Sequence, residues 1–333
     1  MIAPVFLALL ASALALSPPS SRTTPPSGAK IVRAGTTTSG EFATLVAAVA
    51  ALPSDSSSQI IFMYPGTYTG QVLIQRSGPI MGYTTSPSNY TSNQVTITAS
   101  ATLVSAGSDD ASGTLRIHTD NVALYNLNIR NDHGSGVQAI ALSNYGNKVG
   151  VYACQLVGYQ DTLLTEQGLH VYLQSYIQGA VDFIFGQHSQ AYFEGNTIAV
   201  SGPGCITASG RAANDAGIYL FSQNKIILAS GAVSSTNSNI YLGRPWANYA
   251  RVVWKTTTVT AGLNVALWKE WSSSTPNTDH VTFDDYQTTG SGIPSSLKRP
   301  SWAMLLSSSQ ASSFTLSSTL SGTTSWIDSN YLI

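Results

Sequence analysis

Four polar side chains recur at nearly even spacing through the middle of the chain. Gln138 sits in "GVQAIAL", Gln160 and Asp161 in "GYQDTL", and Asp182 in "GAVDFIFGQ". The interval from Gln138 to Gln160 equals that from Gln160 to Asp182, and Asp161 to Asp182 is one position shorter. Asp182 stands among Val181, Phe183, Ile184 and Phe185. A carboxylate buried in such company needs a partner, because desolvation of a lone charge costs several kcal/mol. If that interval is one structural repeat, these side chains stack on one face, with Asp161 and Asp182 about 4.8 Å apart, one parallel-strand spacing. Two carboxylates so placed do not both ionise, and one keeps its proton. A cation beside one of them completes a division of labour between an ionised nucleophile or base and a protonated acid. Arg244, in "YLGRPW", is the candidate cation, since its planar fork suits a buried carboxylate. The amides of Gln138 and Gln160 offer donors to a developing oxyanion. Together they suit acyl transfer with no Ser or Cys nucleophile, no metal and no cofactor. The competing reading is a stacked polar ladder that only holds coils together, and pattern alone leaves both open.

Such a stack needs a scaffold with a repeat of roughly 20–30 residues. Short strand-like runs supply it: "VALYNLNIRN" (122–131), "VGVYACQLVG" (149–158), "HVYLQSYIQG" (170–179), "QAYFEGNTIA" (190–199) and "GIYLFSQNKIIL" (217–228). Leu127, Cys154, Ser175 and Gly195 align as equivalent positions of successive runs. Repeats of that length built from short strands indicate a solenoid, and the absence of helical periodicity selects a parallel β-helix. A β-sandwich would call for hairpin turns such as Asn-Gly, and the chain has no Asn-Gly. The run "EFATLVAAVAAL" (41–52), stopped by Pro53, predicts a short helix capping the N-terminal end. The Ser- and Leu-rich tail after about residue 290 is expected to fold over the C-terminal end.

Composition narrows the class. Of 333 residues 43% are hydrophobic, enough for a sizeable core, and only 9% are charged, against roughly 25% in ordinary soluble domains. A net charge of −1 gives no basic face for nucleic acid. The apolar run from Val5 to Leu16, too short to span a bilayer, and Ala13-Leu14-Ala15 predict a secretory leader over 1–16. A Pro/Ser linker, expected to be mobile, follows over 17–28, and a single domain over 29–333. The expected location is extracellular, with no membrane partner. Cys154 and Cys205 read either as a disulfide or as two buried thiols, and Asn89-Tyr90-Thr91 is a glycosylation sequon.

At the residues named first, the chain resembles the pectin methylesterase (pectinesterase) family, and its charge-poor, Ser/Thr-rich character resembles the fungal branch. "VQAIAL", "GYQDTL", "GAVDFIFG" and "YLGRPW" carry the likeness in the family's order, and a looser similarity covers most of 30–333, including "WKEWSSSTPN" (268–277). The resemblance implies an all-β, right-handed parallel β-helix that removes methyl esters from the galacturonate units of homogalacturonan (pectin); a solenoid with capped ends needs no partner, and a monomer is expected. It implies Asp182 as nucleophile, Asp161 as general acid and then base, Gln138 and Gln160 as the anion hole, and Arg244 as the partner of the nucleophile. Tyr159, Phe183, Trp246 and Trp268 fall at or near positions that line the family's substrate cleft. Two rivals remain: a lyase on the same scaffold, which would need a cluster of acids around Ca²⁺, and a solenoid that binds polysaccharide without catalysis. The "DD" at 109–110 reads as a turn.

Overall fold

The computed structural model describes residues 19–333. The expected leader over 1–16 lies outside them. Three long sheets of 12, 8 and 7 strands run the length of the molecule, and every pairing within them is parallel. Each coil contributes one strand to each sheet, which makes a parallel β-helix. Register sets the repeat: Leu142 pairs with Leu163 and Leu163 with Ile184, the same step each time. Later coils lengthen at their loops, as Ile184 pairs with Thr207 and Thr207 with Gly243.

The interior is filled by like stacked on like. Tyr172, Phe193, Phe221 and Trp254 form one column, with ring centroids 4.6, 4.3 and 3.8 Å apart and planes within 12° of parallel. Each ring is fully buried, and offset stacking adds to the area it removes from water. A polar column runs beside it. The Cys154 N–H donates to Ser175 Oγ (3.0 Å), the Ser175 N–H to Asn196 Oδ1 (2.8 Å), and the Asn196 N–H to Asn224 Oδ1 (2.9 Å). The Asn196 and Asn224 amides donate onward to the carbonyls of Tyr172 and Phe193. Buried polar groups so satisfied cost little and fix register.

That column corrects the sequence alignment by one residue. The residue stacked on Ser175 is Asn196, not Gly195. Gly195 occupies the corner before it, where Asn126, Ala153, Gln174, Gln223 and Thr256 also take positive φ, between 46° and 67° including Gly195. Every one of these coils turns its corner with one left-handed residue; glycine fills that place in one of them and marks the turn, not the ladder.

The N-terminal helix is shorter than expected, Leu45–Ala50, with the Thr44 side chain accepting from the Ala47 N–H. It buries Leu45 and Ala48 against the first coil. Glu41–Phe42 instead forms a strand beside Lys30–Val32, held by the Glu41–Arg33 pair. Residues 19–28, expected to be mobile, are anchored at Arg22. Its backbone pairs with Thr84 in both directions, and its guanidinium meets Asn126 Oδ1 and the Tyr331 hydroxyl and lies over the Tyr125 ring. The C-terminal tail also departs from expectation. Trp302 packs on Phe283 at the end of the core, and Ala303–Leu305 adds a last strand. Leu306, Ala311, Leu320 and Tyr331 then run back along the flank of the 12-stranded sheet over Val253, Leu220, Tyr192 and Tyr152. The flank offers an apolar strip that would otherwise face water. Cys154 and Cys205 are both free and buried. No helix among the described residues is long and apolar enough to cross a membrane.

Candidate active site

The seven-stranded sheet carries the polar cluster at its entry corner. Asp161 and Asp182 stand just before the strands Leu163–Thr165 and Ile184–Gly186. The register of those strands sets them opposite one another in adjacent coils. Both have left-handed backbones, with φ of 62° and 51°, which costs a non-glycine residue about 1–2 kcal/mol. Aspartate tolerates this conformation better than most residues. The Asp161 N–H donates to the Val181 carbonyl (3.1 Å) and the Asp182 N–H to the Cys205 carbonyl (2.8 Å), so the next coil holds each bend. The interval read between the glutamines was one position too long. Gln160 is in register with Val181, not Asp182, and Gln138 lies one position away from the Gln160 column, its carbonyl bonded to Leu103 N–H. Both side chains nevertheless reach the same cavity.

That cavity holds about 260 Å³ and is lined by Asp109, Gln138, Gln160, Asp161, Asp182 and Arg244, with Phe185, Ala208, Trp246 and Trp271 as its apolar wall. Arg244, on the strand Ile240–Pro245, grips Asp182 with two nitrogens: Nε lies 2.9 Å from Oδ1, and Nη2 bonds Oδ2. Its guanidinium lies 4.2 Å from the Trp271 ring centroid, a cation–π contact that holds the fork flat. Burial works against the Arg244 charge, and Asp182 more than restores it. Burial also pushes the Asp182 carboxyl up, and the Arg244 guanidinium offsets only part of that rise. Asp161 has no such contact. Burial, then Asp182, then Asp109 push it up to about 8. The Arg244 contact favours the ionised form of Asp182, and Asp161, with no such contact, favours its proton, the direction that two carboxylates and one cation impose.

Of the four aromatic residues expected at the cleft, one lines this cavity. Trp246 lines the cavity, tilted against Phe185 at 6.3 Å. Phe183 is fully buried in the main core, because the left-handed bend at Asp182 turns the next side chain inward. Phe185 takes the outward place in that motif. Trp268 is likewise internal, stacked on Phe283 at 4.6 Å, and Trp271 reaches the cavity instead. Tyr159 faces a separate hollow with Gln178 and Ser201. The Trp271 signal was present in "WKEWSSSTPN", where two tryptophans compete and only the packed loop decides between them. The "DD" expected as a turn instead opens the short helix Asp109–Ser112 and brings Asp109 to the cavity, a placement that no spacing in the sequence marks. A wider hollow of about 620 Å³ on Thr69, Gln71, Thr98, Ser105 and Asp132 brings no acid–base pair together.

Comparison with known proteins agrees with this fold. The family model described as pectinesterase matches residues 31–323. A pectinesterase of Aspergillus niger is 43% identical over 300 residues, covering 88% of this chain and 89% of that protein. One from Aspergillus aculeatus is 41% identical over 320 residues, covering 93% and 94%. Among solved structures, the pectin methylesterase of Aspergillus niger superposes with a TM-score of 0.83 at 34% identity, covering 92% of this chain and 99% of that one. The enzyme from carrot gives 0.80 at 26% identity, covering 94% and 98%.

Proposed function

The chain belongs to the pectinesterase family and hydrolyses pectin methyl esters, and from that premise we propose that Asp182 and Asp161 divide the chemistry between them. The observation that carries this reading is the asymmetry of the pair: Asp182 is held by Arg244, and Asp161, one coil earlier, is not. Ionised Asp182 attacks the carbonyl carbon of a galacturonate methyl ester. The amides of Gln138 and Gln160 receive the oxyanion, each well-placed donor contributing about 3–4 kcal/mol. Asp161 gives its proton to the departing methoxy oxygen as the C–O bond breaks, and methanol leaves an acyl anhydride on Asp182. Asp161, now ionised, takes a proton from water as that water opens the anhydride. The new galacturonic acid loses its proton to solvent as galacturonate, and both aspartates return to their first states. No cofactor enters. Trp246, Phe185 and Trp271 supply flat apolar surface for the sugar ring and ester methyl. The substrate is methyl-esterified homogalacturonan, met by a monomer outside the cell after loss of residues 1–16. N-terminal sequencing of secreted protein tests that last point.

The decisive assay is methanol release from highly esterified pectin with EDTA present. Release that survives chelation supports the esterase mechanism. Chain cleavage to unsaturated products, abolished by EDTA, would replace it with a lyase, and binding without any product would leave a non-catalytic solenoid. Because Asp161 must be protonated to act first, kcat/KM should fall as pH rises through about 8. A profile flat to high pH, well past that point, would overturn Asp161 as the acid.

A further inference from the structure

One acid in the cavity makes and breaks no bond in the chemistry above, although it adds to the push on Asp161. Asp109 lines the same wall as Asp161 and Asp182. It opens the short helix Asp109–Ser112, and its Oδ1 is buried with no hydrogen-bond partner. An unpaired buried carboxylate oxygen costs stability, so its retention calls for an account. The next residue shows that the placement is firm. Asp110 pairs with Arg116, lies 2.9 Å from His118 Nε2 and accepts from Ser143 Oγ at 2.7 Å. These contacts pin the turn to the strand below and present Asp109 to the cavity.

The charges lining the cavity then leave a remainder. Asp182 and Arg244 neutralise one another, and Asp161 is protonated. Asp109 is the acid left over. It is only partly buried. Burial alone raises its carboxyl, without the added push of a like charge that Asp161 receives. The substrate that enters is a neutral ester, and the product formed in place is an anion. We propose that Asp109 is a specificity residue, whose carboxylate admits the neutral methyl ester and disfavours a free galacturonate carboxylate in the same cavity. Selection against the acid and release of the product come from one repulsion. This inference rests on the pectinesterase reading.

The test compares two constants: the inhibition constant of a fully de-esterified oligogalacturonate and the KM of its methyl-esterified counterpart. In Asp109→Asn, which keeps the shape and removes the charge, the ratio of the first to the second should fall about tenfold at low salt, the size expected of like charges several ångströms apart in a half-solvated cavity. Asp109→Glu should restore most of the wild-type ratio. A ratio unchanged in folded Asp109→Asn would overturn the proposal, as would equal shifts in both constants, which a structural role would give. Should Asp109→Asn not fold, Asp109→Ser reads the same ratio. A wild-type protein that releases no methanol would sink the pectinesterase reading itself, a result distinct from an active enzyme with an unmoved ratio.

Discussion

Two polar stacks run through this solenoid, and they differ in whether their bonds are closed. Inside, Asn196 and Asn224 spend their side-chain amides on the neighbouring coils and on each other. At the entry corner of the seven-stranded sheet, Asp161, Gln138 and Gln160 turn toward open space, and only Asp182 is closed off by its arginine. Both stacks arise from the same coil and the same left-handed corners. One column closes its bonds within the fold; the other leaves donors and a carboxyl facing a cavity.

The comparison can be broken by mutation. The largest effect is expected from Asp182→Ala, which should lower methanol release on the order of 10⁴-fold while the circular dichroism spectrum persists. Retention of near wild-type kcat would remove the nucleophile assignment. Asn196→Ala should act in the opposite sense. It frees the Ser175 N–H and the Tyr172 carbonyl, so urea unfolding should show a loss of about 2–4 kcal/mol, with activity per folded molecule retained. Should the asparagine variant lose activity but not stability, the distinction between the columns fails. Gln160→Ala is expected to cost about 10²-fold in kcat with little change in KM, read by initial rates on esterified pectin.

The smallest effect is a gain. The Asp161 carboxyl is raised from 3.8 to about 8 in the fold, so the folded state holds its proton to higher pH than the unfolded chain. Stability is therefore lost as pH rises from about 4 to about 8 and is level beyond. Asp161→Asn should melt about 2–4 °C above wild type at pH 8 and near it at pH 4. An advantage that shrinks toward pH 8 would contradict the assignment of the raised carboxyl.

Much of this was legible in the sequence, for a physical reason. Coils of equal length from Leu142 to Ile184 impose a repeat on that stretch, so Asp161, Asp182, Gln138 and Gln160 could be brought together from spacing, and Arg244, beyond the longer coils, from its motif. What failed did so at corners. A left-handed residue at Asp182 breaks the alternation of in and out, and Phe183 went inside while Phe185 went to the cavity. The glycine at 195 resembled a ladder position because it is small, but its place is the bend. Trp268 and Trp271 sit on one loop, and which ring reaches Arg244 depends on Phe283, contributed by another coil.

The strap formed by the segment at Arg22 and the C-terminal tail changes how such a stack should come apart. A plain solenoid holds each coil only by its neighbours and peels from its ends. Here Tyr331 rests on Tyr152 and meets Arg22, and the backbone N–H of Ile333 donates to Glu194 in mid-stack. The last residues are thus fastened many coils away from the last coil. Peeling from the C-terminal side must first undo contacts at the middle and the beginning. The molecule should open as one cooperative unit, with the slow, all-at-once hydrogen exchange of a closed ring, not the graded fraying of an open one.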